Sequence, residues 1–197
     1  MATGQTTDER ILTAFSELLL NNGYEGTTTR KIADQAGVNE STIFRHFKDK
    51  RGILTTLIDR YLVDINQLGM TFSASGDITV DLIWVAQTYR QFVESHQSLF
   101  LLGLRNAYQF PEIADAIKQL PARLKKLLIE KLGAMVKSGE VRADVDLDVV
   151  ATNFILLNFG NAVFKYAYPG SGLDVPLPEF SEKNIRSFAD GLKRHAN

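Results

Sequence analysis

The sequence predicts an all-α protein of about nine helices, because helical periodicity recurs along the chain and no strand pattern interrupts it. Apolar residues return three and four positions apart through most of the 197 residues, which places them on one face of a helix. Glycine, asparagine and proline end these patterns at intervals, and no stretch alternates as a half-buried strand does. The fold class follows from these two observations.

The composition is that of a globular protein and not of a disordered or fibrous one. Hydrophobic residues make up 45% of the chain, charged residues make up 23%, and the formal net charge is -1. The absence of cysteine excludes disulfides and thiolate metal sites, and it fits a reducing compartment. We expect a cytoplasmic protein without a membrane span, since no secretory signal is readable and the apolar tracts at 99–104 and 154–164 are short.

The first three predicted helices follow one another closely. The apolar face of the first helix consists of Ile11, Ala14, Phe15, Leu18 and Leu19, and the stretch "NNGYEG" ends it. Thr27 or Thr28 can cap a second helix, which ends at Gly37, the residue best suited to a left-handed C-terminal position. Asn39 then suits the N-cap of a third helix.

The rest of the chain continues as helices. Asp49 can cap a long fourth helix at 50–68, which ends near Gly69 and is followed by a loop at 73–77. Pro121 must either begin a new helix or kink one, because a proline inside a helix costs about 3 kcal/mol. The further predicted helices cover 78–93, 98–108, 112–138, 147–166 and 182–194.

Residues 27–50 are predicted to present one face of a helix to a partner. At roughly 100° per residue, Ile43 and Phe47 share one side of the third helix, and polar side chains project from the other. Two helices separated by a Gly-Val turn and braced by a first helix form the helix-turn-helix arrangement, whose second helix enters the DNA major groove. This predicts a helix-turn-helix DNA-binding domain over residues 1–50.

The predicted contacts depend on the placement of charge, since residues 1–56 carry seven cations and seven anions. Arg45 and Lys48 can bond guanine edges or phosphates, and Phe44 can touch a thymine methyl group. Thr28 and Lys50 lie near helix starts, where free N–H groups favour a phosphate. The alternative for such a cationic face is a merely solvated surface, with Thr28 acting as a cap.

The stretch "NNGYEGTTTRKIADQAGVNESTIFRHFKDKRGIL" resembles the DNA-binding signature of the TetR (tetracycline-repressor) family of bacterial transcriptional regulators. The resemblance covers about the first quarter of the chain. It implies phosphate contacts from Thr28, Thr42, His46 and Lys50, and base-edge or groove contacts from Ser41, Phe44 and Arg45. With their neighbours, the residues predicted to bind DNA are Thr28, Arg30, Glu40, Ser41, Thr42, Phe44, Arg45, His46, Lys48 and Lys50.

Three positions depart from the commonest pattern of that family. Phe44 replaces a frequent Tyr, Glu40 stands where a small residue is usual, and Arg51 stands where an acid is frequent. Glu40 can accept a hydrogen bond from a cytosine amino group or discourage wrong sequences, and the residues alone leave both roles open.

The resemblance also implies a helical regulatory domain at 51–197 that binds a small ligand and dimerises through its last two helices. The helix at 147–166 supports dimerisation independently, because it is apolar over most of its circumference. The alternative is that these residues fill a core within one chain. The predicted interface consists of Val150, Phe154, Leu157, Phe188 and Leu192.

Aromatic residues of the central helices can line a pocket for a mostly apolar molecule, although aromatic residues at helical spacing also make plain core. The predicted pocket consists of Trp84, Tyr89, Phe92, His96, Phe100, Leu104, Tyr108, Phe154 and Asn158. No cofactor and no metal site are predicted.

These features and the resemblance together predict a dimeric, ligand-responsive transcriptional regulator that binds a palindromic operator in double-stranded DNA. The resemblance implies a repressor, and the residues alone leave activation open. A small, mostly apolar effector would release the regulator. The alternative is a helical carrier of an apolar molecule without DNA-binding activity. An enzyme is not predicted, because the sequence has no cysteine nucleophile, no HExxH or GxSxG motif and no phosphate-binding glycine motif.

Overall fold

A computed structural model describes residues 5–68 and 75–193, and over these ranges it contains no strand beyond an isolated bridge between Val141 and Lys193. The first eight helices are α1 (Thr7–Gly26), α2 (Thr29–Ala36), α3 (Glu40–Phe47), α4 (Lys50–Leu68), α5 (Ile78–Ser95), α6 (Gln97–Asn106), α7 (Pro111–Ser138) and α8 (Leu147–Ala167). The all-α prediction is confirmed.

Three consecutive segments form the last helical stretch: α9 (Leu177–Glu179), a π-helical turn (Phe180–Ile185) and α10 (Arg186–Asp190). Counted as one, they bring the described part of the chain to nine helices. The predicted bounds of 182–194 are wrong at the start, because the stretch already begins at Leu177. Pro178 does not prevent this, since a proline is tolerated in the first turn of a helix.

Two predicted breakers behave differently in the structure. Gly23 adopts a φ of 67°, outside the helical range, and interrupts α1 as predicted. Pro121 instead lies inside α7, which continues through it, and no new helix begins there. Gly69 and the first two residues of the predicted loop at 73–77 lie outside the described residues.

The caps explain why the N-terminal helices begin and end where they do. Thr28 is the N-cap of α2, and its hydroxyl accepts a hydrogen bond from the Lys31 N–H. Gly37 ends α2 in the left-handed conformation, with a φ of 65°. Asp49 accepts a hydrogen bond from the Gly52 N–H at 2.8 Å and thereby caps α4, as predicted.

The chain divides into two compact units, Met1–Asp64 with His96–Ile117, and Ile65–Ser95 with Lys118–Asn197. In the first unit α1 packs against both α2 and α6, around a core that includes Phe15, Ile32 and Ile43. The predicted division at residue 50 concerns which part binds DNA, and it stays a prediction. The compact first unit extends beyond the predicted domain of residues 1–50, because most of α4, all of α6 and the start of α7 also belong to it.

The second unit has its own core, in which α5 packs against α8 and against the last helical stretch. Ile78, Leu132, Phe154 and Ile185 are at most 2% exposed. The contacts of α5 with α8 and with the last helical stretch thus join residues that the sequence separates by about a hundred positions.

The junction between α3 and α4 depends on the missing side chain of Gly52. A Cβ atom at this position would lie 1.8 Å from the Phe47 carbonyl oxygen and 2.9 Å from its carbonyl carbon. Because both atoms belong to the backbone, no side-chain movement would relieve the overlap. Glycine at 52 is therefore what lets α4 begin directly beneath the end of α3.

We expect Gly52→Ala to lower the free energy of unfolding by about 2 kcal/mol or more, because the backbone of Phe47 must move. Gly133→Ala is the matched control, since its Cβ would meet Leu147 Cδ1 in ordinary contact at 3.6 Å. The control should be neutral or stabilise the protein by about 0.5–1 kcal/mol. Urea unfolding followed by circular dichroism measures both, and equal stability of Gly52→Ala and the unsubstituted protein would contradict the argument.

Candidate nucleic-acid interface

Helix α3 buries one side and exposes the other, as its sequence pattern predicts. Ile43 is fully buried and Phe47 is 7% exposed. On the opposite side Ser41, Phe44 and Arg45 are exposed, and Phe44 shows 51% of its surface to solvent. A partner can therefore reach Phe44 and Arg45 without any rearrangement of α3.

The residues predicted to bind DNA all lie in α2 or α3, in their flanking turns, or at the start of α4. The exposed ones are Thr28, Arg30, Ser41, Phe44, Arg45, His46 and Lys48, and the half-buried ones are Glu40, Thr42 and Lys50. They therefore belong to a single region of the first unit, although their contacts with DNA stay a prediction.

The turn between α2 and α3 is fixed by backbone hydrogen bonds. The Gly37 N–H donates to the Asp34 carbonyl, and the Val38 N–H donates to the Ala33 carbonyl at 3.0 Å. Asn39 occupies the predicted N-cap position of α3, but its side chain makes no capping hydrogen bond. The first N–H groups of α3 therefore lack a side-chain cap from that residue.

Glu40 has a role inside the motif that the sequence did not indicate. Its carboxylate accepts a hydrogen bond from the Thr29 hydroxyl, so it joins the first turn of α3 to the first turn of α2. This contact braces the two helices against each other. It leaves the contribution of Glu40 to sequence recognition as a prediction.

Lys50 contacts Tyr24, which lies before α2 and α3 in the chain, whereas Lys50 follows them. Its ammonium donates to the Tyr24 carbonyl at 2.9 Å and lies 3.9 Å from the centre of the Tyr24 ring. The Tyr24 ring packs in turn against Phe110, with 4.6 Å between ring centres. Burial raises the pKa of the Tyr24 hydroxyl. The Gly-Tyr step was visible in the sequence, but nothing there pairs it with Lys50.

His46 and Lys48 lie at the end of α3. His46 Nδ1 lies 2.6 Å from an Asp8 carboxylate oxygen, and its Nε2 lies 3.4 Å from Arg45 Nη2. Lys48 adopts a φ of 70°, a strained value for a residue with a side chain, at the C-cap of α3. Two cations and a histidine are thus held at the same end of the exposed helix.

The predicted ligand-pocket residues divide between the two units. His96, Phe100, Leu104 and Tyr108 belong to the first unit and the others to the second. Tyr108 is fully exposed and Leu104 is 38% exposed, so neither is enclosed by protein. For these two positions the aromatic and apolar pattern was misleading, because Leu104 lies in the last turn of α6 and Tyr108 lies in the solvated turn that follows it.

His96 is engaged within the first unit. Its Nε2 lies 3.1 Å from an Asp64 carboxylate oxygen, and its ring meets the edge of Tyr61 with 5.2 Å between ring centres. Burial lowers the pKa of His96, and this effect outweighs the opposing influence of Asp64. The neutral imidazole is therefore favoured, and the contact ties α4 to the start of α6.

A small crevice in the second unit includes two of the predicted pocket residues, Tyr89 and Asn158. It lies between α5, α8 and the last helical stretch and has a volume of about 10 Å³. A second crevice of similar volume lies between α5 and α7 and has none of the predicted residues in its lining. Over residues 5–68 and 75–193, no cluster of three or more His, Asp or Glu side chains has a geometry suited to a metal ion.

Two of the five residues predicted for the dimer interface need a correction, and the other three, Val150, Leu157 and Phe188, are half-buried and stay predictions. Phe154 is 2% exposed and Leu192 is 6% exposed, because both pack inside their own unit, Phe154 against Phe188. The apolar side chains that α8 exposes are Val149 and Leu156, at 51% and 60%. They lie seven positions apart on one face, about 100° around the helix from the predicted set.

α8 is also long and apolar enough to cross a membrane, judged by length and composition alone. Of its most apolar stretch, only 22% is buried. Among the helices of the described ranges, α8 is the one with this length and composition. A helix so apolar and so little buried has a surface that another apolar surface can cover.

Comparisons with known proteins agree with the geometry. A family model described as bacterial regulatory proteins of the tetR family matches residues 11–57. YvkB of Bacillus subtilis, an HTH-type transcriptional regulator, is 26% identical over 94% of this chain and 97% of its own length. The transcriptional repressor KstR2 of Rhodococcus jostii is 25% identical over 92% of this chain and 89% of its own.

The fold recurs among solved structures. FadR from Bacillus subtilis, in complex with stearoyl-CoA, matches with a TM-score of 0.65 at 22% identity, over 93% of this chain and 98% of that one. An N-terminal helix-turn-helix whose second helix exposes one side, followed by a larger helical unit, is the arrangement of helix-turn-helix transcriptional regulators, the class to which these relatives belong. These matches identify residues 11–57 with the tetR family of bacterial regulatory proteins, and over nearly its whole length the chain is similar to transcriptional regulators.

Proposed function

We propose that the protein is a dimeric repressor that binds a palindromic operator through α3 and is released by a small effector. The observation that carries this proposal is the exposed side of α3, where Ser41, Phe44 and Arg45 face solvent while Ile43 and Phe47 anchor the helix. A helix held in this way fits the major groove, which is about 12 Å wide.

The roles of the side chains follow from their chemistry. Arg45 reads a guanine edge, Phe44 contacts a thymine methyl group, and Ser41 bonds a base or a phosphate. Thr28, Thr42, His46 and Lys50 hold phosphates. Arg30 and Lys48 add positive charge beside the DNA backbone, and Glu40 positions α3 through Thr29.

A second copy of the chain covers the exposed face of α8. One helix-turn-helix reads only a few base pairs, so an operator-sized site needs two of them about 34–36 Å apart. Val149 and Leu156 supply the apolar surface for this contact. Burial of α8 in a dimer also removes the need for a membrane to cover it, which fits a cytoplasmic protein.

The effector acts on the second unit, and the response reaches the first through continuous helices. α4 and α7 each have residues in both units, with the division after Asp64 in one and after Ile117 in the other. Effector binding lowers operator affinity only if the effector binds the dimer shape that does not fit the operator better than the shape that does. Such differences are typically 1–3 kcal/mol. FadR, of the same fold, holds stearoyl-CoA, which supports an effector with an apolar part.

The rival function is a helical carrier of an apolar molecule without DNA-binding activity. An exposed phenylalanine and arginine on α3 have no use in such a protein. Binding of a duplex taken from beside the coding gene, measured against salt, separates the two functions, because a carrier would show no specific site.

Arg45→Ala should relax operator selection, with a loss of about 1–3 kcal/mol at the base pair that Arg45 reads. Helicity and the dimer should be unaffected, because the side chain is exposed. Gel-shift titrations with operator and scrambled duplexes measure the ratio of the two affinities. Arg123→Ala, an exposed cation of α7, is the control. An unchanged ratio in Arg45→Ala would show that the wrong face has been assigned to DNA.

Lys50→Ala should weaken binding to every duplex alike and reduce the salt slope by about 1, because one phosphate contact is lost. Lys31→Ala is a matched control, since the Lys31 ammonium also donates to a backbone carbonyl, that of Gly26, at 2.8 Å. Both variants lose one such contact, and Lys50→Ala also loses the contact of its ammonium with the Tyr24 ring. Neither of these contacts involves DNA, so a difference in salt slope reports the phosphate clamp. Equal slopes for the two would remove Lys50 from the phosphate contacts.

Leu156→Glu should convert the dimer into monomers at micromolar concentration, because a carboxylate would be buried in an apolar interface. Val80→Glu on α5, where the native side chain is 52% exposed, is the control and should stay dimeric. Sedimentation velocity gives both states. A Leu156→Glu protein that still sediments as a dimer would exclude this face of α8.

A further inference from the structure

The crevice between α5 and α8 has a distinctive polar lining. Its walls are Ala86, Tyr89, Arg90, Asn158, Asn161, Ala162, Lys165, Tyr166, Leu177 and Phe180. Arg90 and Lys165 give this lining two cations, and it contains no acidic residue. With a volume of about 10 Å³, the crevice has room for one oxygen-sized group and not for the body of a ligand.

Two buried polar atoms in this lining have no hydrogen-bond partner in the described part of the chain. They are Nη1 of Arg90 and the hydroxyl of Tyr166. A guanidinium carries a fixed charge and can only donate, and a buried donor without an acceptor is costly. Native structures usually pair such groups with protein, an ordered water or a ligand, so each of these two atoms can still make a hydrogen bond to a group from outside the described chain.

The other polar groups of the crevice do not supply that partner. The Asn158 amide donates to the Phe154 carbonyl at 2.8 Å, and the Asn161 amide donates to the Val175 carbonyl at 3.1 Å. The Lys165 ammonium lies 4.7 Å from the centre of the Tyr166 ring and 3.9 Å from a carboxylate oxygen of Glu94, beyond hydrogen-bond reach.

We infer that this crevice receives one oxygen of an oxyanion, a carboxylate or a phosphate whose other atoms lie outside it, through Arg90 and Tyr166, with Lys165 contributing charge. An oxyanion suits this set because its oxygens accept hydrogen bonds and it carries the charge opposite to that of Arg90 and Lys165. The inference rests on the proposed function in that the oxyanion is taken as the polar end of the effector. Its binding would link α5 to α8, since Arg90 and Tyr166 come from different helices.

The test is calorimetric titration of the full chain with sodium octanoate, inorganic phosphate and neutral 1-octanol. We expect at least one of the two anions to bind, and octanol to bind about tenfold more weakly than octanoate if the carboxylate is the preferred oxyanion. Octanoate and phosphate distinguish the two sources of the same chemistry. The inference is overturned if neither anion binds. It is also overturned if octanoate and octanol bind equally and phosphate does not bind.

Variants assign the binding to this crevice. Arg90→Gln should lower the affinity for the anion about tenfold or more. Tyr166→Phe, which removes only the hydroxyl, should lower that affinity by a smaller factor. Arg123→Gln, an exposed cation of α7, should change nothing. Circular dichroism and thermal unfolding verify that each variant is folded. Anion affinity that survives Arg90→Gln in a folded protein overturns the inference.

The proposed function and this inference fail separately. Anion binding is measured without DNA, so a protein that binds octanoate but no specific duplex contradicts the repressor proposal and leaves the crevice site standing. A protein that binds its operator but no oxyanion contradicts the crevice site alone.

Discussion

The contact of α3 with the start of α4 is the constraint on which the candidate interface depends. Ile43 and Phe47 bury one side of a helix of only 8 residues, and the Phe47 carbonyl packs against a glycine at position 52. An isolated helix so short would not be stable in water. Packing therefore supplies both the stability and the orientation of α3. The side chains on its exposed side, Ser41, Phe44 and Arg45, do not contribute to the core.

The same region couples the motif to the rest of the first unit. Lys50 reaches back to Tyr24, and Tyr24 packs against Phe110 just before α7. Arg51 of α4 also pairs with Glu112 of α7, with 2.7 Å between their charged atoms. These contacts explain why the compact unit extends beyond the helix-turn-helix. They also fix the helix-turn-helix to the start of α7 within the first unit.

Much of the N-terminal half was predictable because its signals are local. Thr28, Gly37 and Asp49 act at the helix ends where their chemistry suggests, and α4 spans the predicted 50–68. The face of α3 could be deduced from the spacing of Ile43 and Phe47 alone. Elsewhere local rules left alternatives open, as at Pro121, which the structure places within α7 and not at the start of a new helix.

The sequence by itself determined that the chain is helical, where its first helices begin, and which side of α3 faces outwards, since periodicity and caps act over a few residues. Only the tertiary structure decided that Phe154 belongs to the core and Leu156 to the surface of α8. It also decided that Lys50 meets Tyr24 and that Arg90 is left with an unpaired nitrogen. Each of these depends on contacts between residues distant in the chain, and an apolar helix gives no local signal of which side its neighbours will cover.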